Sequence, residues 1–130
     1  MKDETREWLC YAAENLAVAK LALDAGYFNS AIQNAQQAAE KALKTVLIDH
    51  DIVFPKTHRL RQLKGLLASH GQDVPITVEE CGAFDSIYMD TRYPSASVLP
   101  DFVPDLATTQ SFLAVAARVL AVVQKQIEMG

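Results

Sequence analysis

The chain has 130 residues, half of them hydrophobic and 22% charged, a composition typical of a soluble globular protein. We expect one domain over residues 1–130, because a chain of this length buries enough surface to fold alone. The net charge of −4 argues against broad nucleic-acid binding, which needs a basic face. The charged N-terminal stretch has no apolar signal core, and Arg118 interrupts the most apolar stretch, residues 112–123. We therefore expect a cytoplasmic protein without a membrane span.

Two long helices are predicted at the start of the chain. Apolar residues recur every three or four positions over residues 3–25, with Asp3 suited to cap the helix and Gly26 to end it. After a short turn, a second helix is predicted over residues 28–50, and it should pack antiparallel to the first.

The middle of the chain predicts a short helix and then a longer one. Thr57 is suited to cap a third helix over about residues 58–69. The sequence TVEE at residues 77–80 is a capping box, in which the threonine and the last glutamate bond each other's backbone amides. A fourth helix is therefore expected from residue 78 to about residue 90.

A last helix is predicted over about residues 103–128, with Pro104 in its first turn. It is apolar almost all round, so we expect it to face the core on one side and a second copy of the chain on the other. No alternating strand pattern is present. The sequence thus predicts an all-α, up-and-down helical bundle of four long helices plus one short helix.

Metal and nucleophile motifs are missing from the sequence. The histidines His50, His58 and His70 do not have helix-turn spacing, and no Glu-x-x-His pair occurs. There is also no Gly-x-Ser-x-Gly elbow and no glycine-rich phosphate loop. We expect no metal and no cofactor.

The stretch AIQNAQQAAEKALK, residues 31–44, predicts a helix with one polar face. Its amides and lysines at positions 33, 37, 41 and 44 share one face, and Glu40 with Lys44 can form a pair that contributes a few tenths of a kcal/mol. Two interpretations stay open. The face is either solvated, or it is a recess whose amides and Lys41 hold an anionic ligand.

Two further stretches have the residue types of an anion site. In DTRYPS, residues 90–95, Arg92 can pair with phosphate or carboxylate and Tyr93 offers a stacking face. The alternative is a helix end that Arg92 caps. In KTHRL, residues 56–60, His58 either binds an anion or only supports the cap of a helix.

Together these stretches resemble the HEPN domain family of prokaryotes. The resemblance rests on YFNSAIQNAQQAAEKALKTVL, PKTHRLRQL and DTRYP in this order and spacing, and it covers nearly the whole chain. It implies a helical bundle that dimerises. Many members are partners of a small, separately encoded nucleotidyltransferase, help to bind nucleotide or substrate, and form toxin–antitoxin modules with it. The family residues that this sequence carries are Gln36, Gln37, Glu40, Lys41, Lys44, Thr57, His58, Arg92, Tyr93 and Pro94.

Two departures from the family pattern bear on activity. Asn34 stands where many relatives have histidine. Ribonuclease members carry arginine followed, after four to six residues, by histidine, whereas here Arg61 and His70 come nearest, with eight residues between them. We therefore do not expect this chain to be an enzyme.

The prediction is a non-catalytic HEPN subunit that dimerises through an apolar helix face and pairs with a minimal nucleotidyltransferase. Alternatives are a ribonuclease toxin with a degenerate site around His58 and Arg92, and a stand-alone interaction bundle. The residues expected to contact a nucleotide are Gln37, Lys41, Lys44, His58, Arg92 and Tyr93.

Overall fold

Five α-helices, and no strand, make up the part of the chain that the structure describes. The computed structural model describes residues 1–92 and 104–129, and side chains over residues 1–87 and 104–129. The helices are α1 (Asp3–Asp24), α2 (Phe28–Asp49), α3 (Leu60–Ser69), α4 (Val78–Arg92) and α5 (Leu106–Met129). The predicted bundle of four long helices and one short helix is confirmed. Residues 93–103, which include Tyr93 and Pro94, lie outside the described residues.

Helix α2 is the centre of the bundle. It packs against α1, α3, α4 and α5, while α1 packs on α5 and α3 packs on α4. The alanines that give α2 its narrow profile are fully buried, which lets its neighbours approach closely: Ala31, Ala35, Ala38, Ala39 and Ala42. The last helix was expected to face the core on one side, and α5 does pack on α1 and α2, but the central place belongs to α2.

The first three helices end in the same way. After α1, Gly26 adopts a φ of +82°, and the Tyr27 amide bonds the Ala22 carbonyl at 2.8 Å. This is a Schellman motif, which needs a left-handed residue that glycine supplies without strain. The predicted stop at Gly26 is therefore confirmed. Asp51 after α2 and Gly71 after α3 repeat the left-handed conformation, with φ of 56° and 72°.

Helix α3 starts two residues later than predicted, because its cap comes from another helix. The Asp85 carboxylate on α4 accepts hydrogen bonds from the backbone amides of Leu60, at 2.7 Å, and Arg61, at 3.2 Å. The Thr57 hydroxyl accepts only from the Arg59 amide, at 3.2 Å. The prediction that Thr57 caps this helix was wrong, since a tertiary contact does so.

At the two ends of the chain, α1 begins at residue 3 as predicted but is not capped by Asp3, and α5 begins at Leu106 instead of about residue 103. Asp3 is the first residue of α1, and Lys2, with no side-chain bond to the helix, takes the cap position. Pro104 precedes α5, and Asp105 caps that helix by accepting from the Thr108 amide at 2.7 Å. This bond lowers the pKa of the Asp105 carboxyl.

The predicted capping box of α4 is confirmed and is joined to α5. The Glu80 amide donates to the Thr77 hydroxyl at 3.0 Å, and the Thr77 amide donates to Glu80 Oε1 at 2.9 Å. Arg118 on α5 pairs with the same carboxylate and donates from Nε to the Pro75 carbonyl at 3.0 Å. The hydrogen bond from Arg118 lowers the pKa of Glu80 below its ordinary value of 4.5.

Exposed apolar side chains lie on α1 more than on α5. In α1, Tyr11, Val18 and Leu21 are 48%, 41% and 69% exposed. Among the described residues, the large apolar side chains of α5 that are classed as exposed are those at its ends, Leu106 and Met129. By length and composition alone, α5 is long and apolar enough to cross a membrane. In the bundle it packs on α1 and α2.

Candidate functional site

A buried carboxylate, Glu40, organises the polar residues of α2. Helical spacing of four residues puts Gln36, Glu40 and Lys44 in one row, and they are only 1%, 5% and 7% exposed. Lys44 Nζ donates to Glu40 Oε2 at 2.9 Å, and Gln36 Nε2 donates to Glu40 Oε1 at 3.1 Å. Of the predicted face at positions 33, 37, 41 and 44, the interpretation as a solvated surface is therefore wrong for Lys44. We call these three residues, together with His58, the Glu40 cluster.

His58 brings the segment before α3 onto the Glu40 cluster. Its Nδ1 lies 3.1 Å from each oxygen of the Glu40 carboxylate, and its side chain remains 56% exposed. Since a carboxylate only accepts, this contact requires a hydrogen on Nδ1. Gln36 Nε2 also donates to the His58 carbonyl at 3.1 Å. Both the ring and the backbone of His58 are thus held by α2.

The orientation of the Gln36 amide follows from its neighbours. Its nitrogen faces two acceptors, the Glu40 carboxylate and the His58 carbonyl, so a reversed amide would put oxygen against oxygen. Within residues 1–92 and 104–129, the buried Gln36 Oε1 has no hydrogen-bond partner. A buried acceptor without a hydrogen bond lowers the free energy of unfolding by about 1–3 kcal/mol. The Gln36 carbonyl oxygen is thus the acceptor of the cluster that remains unused.

Lys44 is surrounded by aromatic side chains. Its Nζ lies 5.9 Å from the ring centroids of both Trp8 and Phe54, within the range of cation–π attraction. Trp8 comes from α1 and Phe54 from the segment between α2 and α3. Lys44 is thus buried inside the Glu40 cluster, whereas His58 lies on the side of the cluster that faces solvent.

Lys41 belongs to a second group of polar residues, between α1 and α2. Its Nζ donates to Asn15 Oδ1 at 2.6 Å and lies 5.9 Å from the Tyr11 ring centroid. Asn15 Nδ2 donates in turn to Asn34 Oδ1 at 3.1 Å. We call these four residues the Lys41 row. Asn34, which replaces the family histidine, is occupied by this contact.

The structure therefore divides the predicted site residues. His58 and Lys44 meet at Glu40, Lys41 bonds α1, and Gln37 is half-buried on α2. Arg92 ends α4, and its side chain lies outside the described residues, as does Tyr93. That these residues contact a nucleotide stays a prediction for all six: Gln37, Lys41, Lys44, His58, Arg92 and Tyr93.

Neither Glu40 nor Asn15 was among the predicted contact residues. Glu40 had a signal, because Gln36, Glu40 and Lys44 repeat at four-residue spacing. Asn15 also had one, as an amide within the apolar repeat of α1. Over residues 1–92 and 104–129, no group of three or more His, Cys, Asp or Glu side chains is arranged to hold a metal ion. What the two groups can offer a ligand is the half-exposed imidazole of His58 and the ammonium group of Lys41, which an asparagine holds in place.

The helical fold and this polar centre on α2 define the class of protein. The family model for the HEPN domain matches residues 5–126, so the chain belongs to the HEPN domain family. No curated protein matches it. Among solved structures, it is similar to TT1696 from Thermus thermophilus, with 31% identity and a TM-score of 0.77 over 95% of this chain and 98% of that one. It is also similar to ST0689, an archaeal HEPN homologue, with 26% identity and a TM-score of 0.71 over 98% of this chain and 99% of that one.

Proposed function

We propose that this chain is a non-catalytic HEPN subunit that dimerises, pairs with a minimal nucleotidyltransferase and helps to bind nucleotide or substrate. Such a pair can act as a toxin–antitoxin module, as the family resemblance implies. The observation that carries the proposal is the His58 ring, which is half-exposed and yet fixed by the buried Glu40 carboxylate. A ring held in this way is a prearranged contact for a ligand, because little side-chain entropy remains to be lost on binding.

Charge supports an anionic ligand such as a nucleotide phosphate. Lys41 is half-buried and bonded to an amide oxygen, and it forms no ion pair with a carboxylate among the described side chains. An ammonium group in this setting forms charge-assisted bonds with phosphate oxygens. The sequence also lacks the arginine–histidine spacing of ribonuclease members. These features favour binding over catalysis.

Calorimetric titration of adenosine and guanosine mono- and triphosphates tests the nucleotide site. The titration is made on the purified chain and on its complex with the partner. Loss of a charge-assisted bond should weaken binding about ten-fold or more in Lys41→Ala and in His58→Ala. Lys20→Ala removes an exposed lysine elsewhere on α1 and should leave affinity unchanged. Equal affinities in all variants would show that nucleotide binds elsewhere.

A tagged pull-down from the native cell, read by mass spectrometry, tests the pairing. Recovery of a small nucleotidyltransferase in near-equal amount is the expected result. Recovery of the chain alone would contradict the pairing and favour a stand-alone interaction bundle.

The second copy was expected against the last helix, but the exposed apolar side chains favour a homodimer contact on the apolar face of α1. Leu21 and Val18 are exposed there, one turn apart, and Tyr11 lies two turns before Val18. Light scattering should report a dimer for the wild type and a monomer for Leu21→Glu. Leu106→Glu makes the same change at an exposed leucine of α5, and it should leave the dimer intact. A dimer that survives Leu21→Glu but not Leu106→Glu would move the contact to α5.

The second candidate function is RNA cleavage, which the Glu40–His58 contact favours. A carboxylate that holds one ring nitrogen fixes the tautomer and orientation of an imidazole that works as a general base. Structured and unstructured RNA should stay intact under the binding hypothesis. Cleavage that His58→Ala abolishes and Lys20→Ala retains would make the chain an enzyme.

A further inference from the structure

A pocket lies at the end of the bundle where α2 and α5 both end. It holds about 330 Å³ and is lined by Val46, Asp49, His50, Gln72, Gln126 and Ile127. Three of these residues belong to the end of α2, two to the last turn of α5, and Gln72 follows α3. None of them is a member of the Glu40 cluster or of the Lys41 row. The pocket is therefore separate from the candidate nucleotide site, and we call it the α2–α5 pocket.

The helix ends give this pocket a negative potential. The C-terminal end of an α-helix carries a partial negative charge, which favours a nearby cation. Neither α2 nor α5 has a basic residue in its last turn. Lys2 shows that an ammonium group binds at this end of α2, because it donates to the Ile48 carbonyl at 3.2 Å and pairs with Asp51. Lys2 does not line the pocket, so the negative ends of two helices still face the cavity.

Asp49 adds a full negative charge to the wall of the pocket. Its side chain is half-buried, and its Oδ1 accepts from the Thr5 hydroxyl at 3.5 Å, which is long for such a bond. Within residues 1–87 and 104–129, no lysine, arginine or histidine forms an ion pair with it, whereas Glu40, Glu80 and Asp51 each have such a partner. A charge that is partly removed from water is stabilised by a counter-ion. Asp49 is therefore suited to bind a cation from outside the chain.

The other lining residues indicate which kind of cation fits. The amide oxygens of Gln72 and Gln126 and the imidazole of His50 can accept hydrogen bonds. Val46 and Ile127, by contrast, form a buried apolar part of the wall. An ammonium group on a methylene chain uses both kinds of surface, while a bare metal ion would leave the apolar part without contact. The cavity also has about ten times the volume of one water molecule, which suits an organic amine.

Further carboxylates lie beside the pocket along the chain. Asp73 follows Gln72 and Glu128 follows Ile127, and both are exposed, as is the neighbouring Lys125. The two carboxylates outnumber the one lysine, so a second ammonium group would also meet negative charge. We propose that the α2–α5 pocket binds a linear aliphatic polyamine. One ammonium group pairs with Asp49, and the methylenes contact the apolar wall.

Calorimetric titration of spermidine into the full chain tests this inference. The wild type should bind one molecule. Asp49→Asn keeps the size of the side chain and removes its charge, so the affinity should fall about ten-fold or more. Asp24→Asn makes the same change at an exposed aspartate that ends α1, outside the pocket, and it should bind as the wild type does.

A second variant places a cation in the wall of the pocket. Gln126→Lys changes an exposed residue in the last turn of α5, so the fold should tolerate it. The new ammonium group should abolish spermidine binding and raise the midpoint of thermal unfolding, because it supplies the missing charge at the helix end. Gln110→Lys adds the same charge at an exposed position near the start of α5 and should have neither effect.

Three outcomes would overturn the inference. The first is a wild type that does not bind spermidine. The second is an equal loss of affinity in Asp49→Asn and Asp24→Asn, or in the two lysine variants, which would show a general attraction to an acidic surface. The third is magnesium chloride that binds as tightly as spermidine, since charge alone would then be sufficient. Nucleotide affinity should be unchanged in Asp49→Asn, so the failure of either proposal leaves the other standing.

Discussion

Replacing Lys44 by methionine tests the burial of charge at the centre of the bundle. Methionine keeps much of the side-chain volume between Trp8 and Phe54 but removes the ammonium group. The Glu40 carboxylate, 5% exposed, then loses the partner that lies 2.9 Å from it in the wild type. Gln36 and His58 remain as its hydrogen-bond donors.

The size of the effect follows from two opposing quantities. At an effective dielectric of about 20, unit charges at 2.9 Å attract by about 6 kcal/mol. Taking both ions out of water costs several kcal/mol each, which offsets most of this attraction. The variant keeps the cost for Glu40 and loses the attraction, so the free energy of unfolding should fall by about 3–5 kcal/mol. An exposed pair at the same spacing would contribute only about 0.3–0.5 kcal/mol.

Urea unfolding followed by far-ultraviolet circular dichroism measures this difference. Lys20→Met makes the same substitution at an exposed position and should stay within about 0.5 kcal/mol of the wild type. The double variant Glu40→Gln/Lys44→Met leaves no buried charge and should recover most of the loss. If Lys44→Met costs less than about 1 kcal/mol, the pair behaves as an exposed one and the reasoning about burial is refuted.

Three further measurements test the core, the acid response and the thiols. Leu43→Ala, at a fully buried position of α2, should cost about 2–5 kcal/mol in thermal unfolding, and a cost near zero would contradict its burial. Because Arg118 lowers the folded-state pKa of Glu80 below 4.5, its contribution is present above that pH and lost as pH falls through the lower value. Glu80→Gln should therefore reduce the loss of stability on acidification, measured by urea unfolding, and an unchanged acid response would refute this. Burial raises the pKa of the Cys81 thiol to about 11, so a thiol reagent near neutral pH should label exposed Cys10 in the native protein and Cys81 only after unfolding.

Local patterns were sufficient to predict the helices. Apolar spacing and the Thr77–Glu80 capping box depend on residues close in sequence, and both were found where expected. The cap of α3 was not predictable in this way. Asp85 lies 25 positions from Leu60, and only the packing of α3 on α4 brings them together.

Lys44 and His58 were named from the sequence, but their common contact with a buried Glu40 carboxylate was not predicted. Glu40 and Lys44 were predicted to form an exposed pair, because helical spacing alone does not show which side chains cover a helix face. The cover comes from Trp8 on α1 and from Phe54 and His58 after α2. Likewise, Lys41 was expected to face a ligand, whereas its contact with Asn15 depends on how α1 lies beside α2.

The arrangement of helices around α2 has a consequence for affinity. The helices form two groups: α1, α2 and α5 pack together, and α3 and α4 pack on each other and on α2. The Glu40 cluster joins the groups, because Glu40 lies on α2 and His58 lies just before α3. If α3 and α4 detached from α2, the His58 imidazole would separate from the Glu40 carboxylate, while α1, α2 and α5 would stay packed together. The measured dissociation constant then includes the docking equilibrium of α3 and α4, because only the docked form is competent to bind. Substitutions between α3 and α4 can thus tune affinity without touching the ligand.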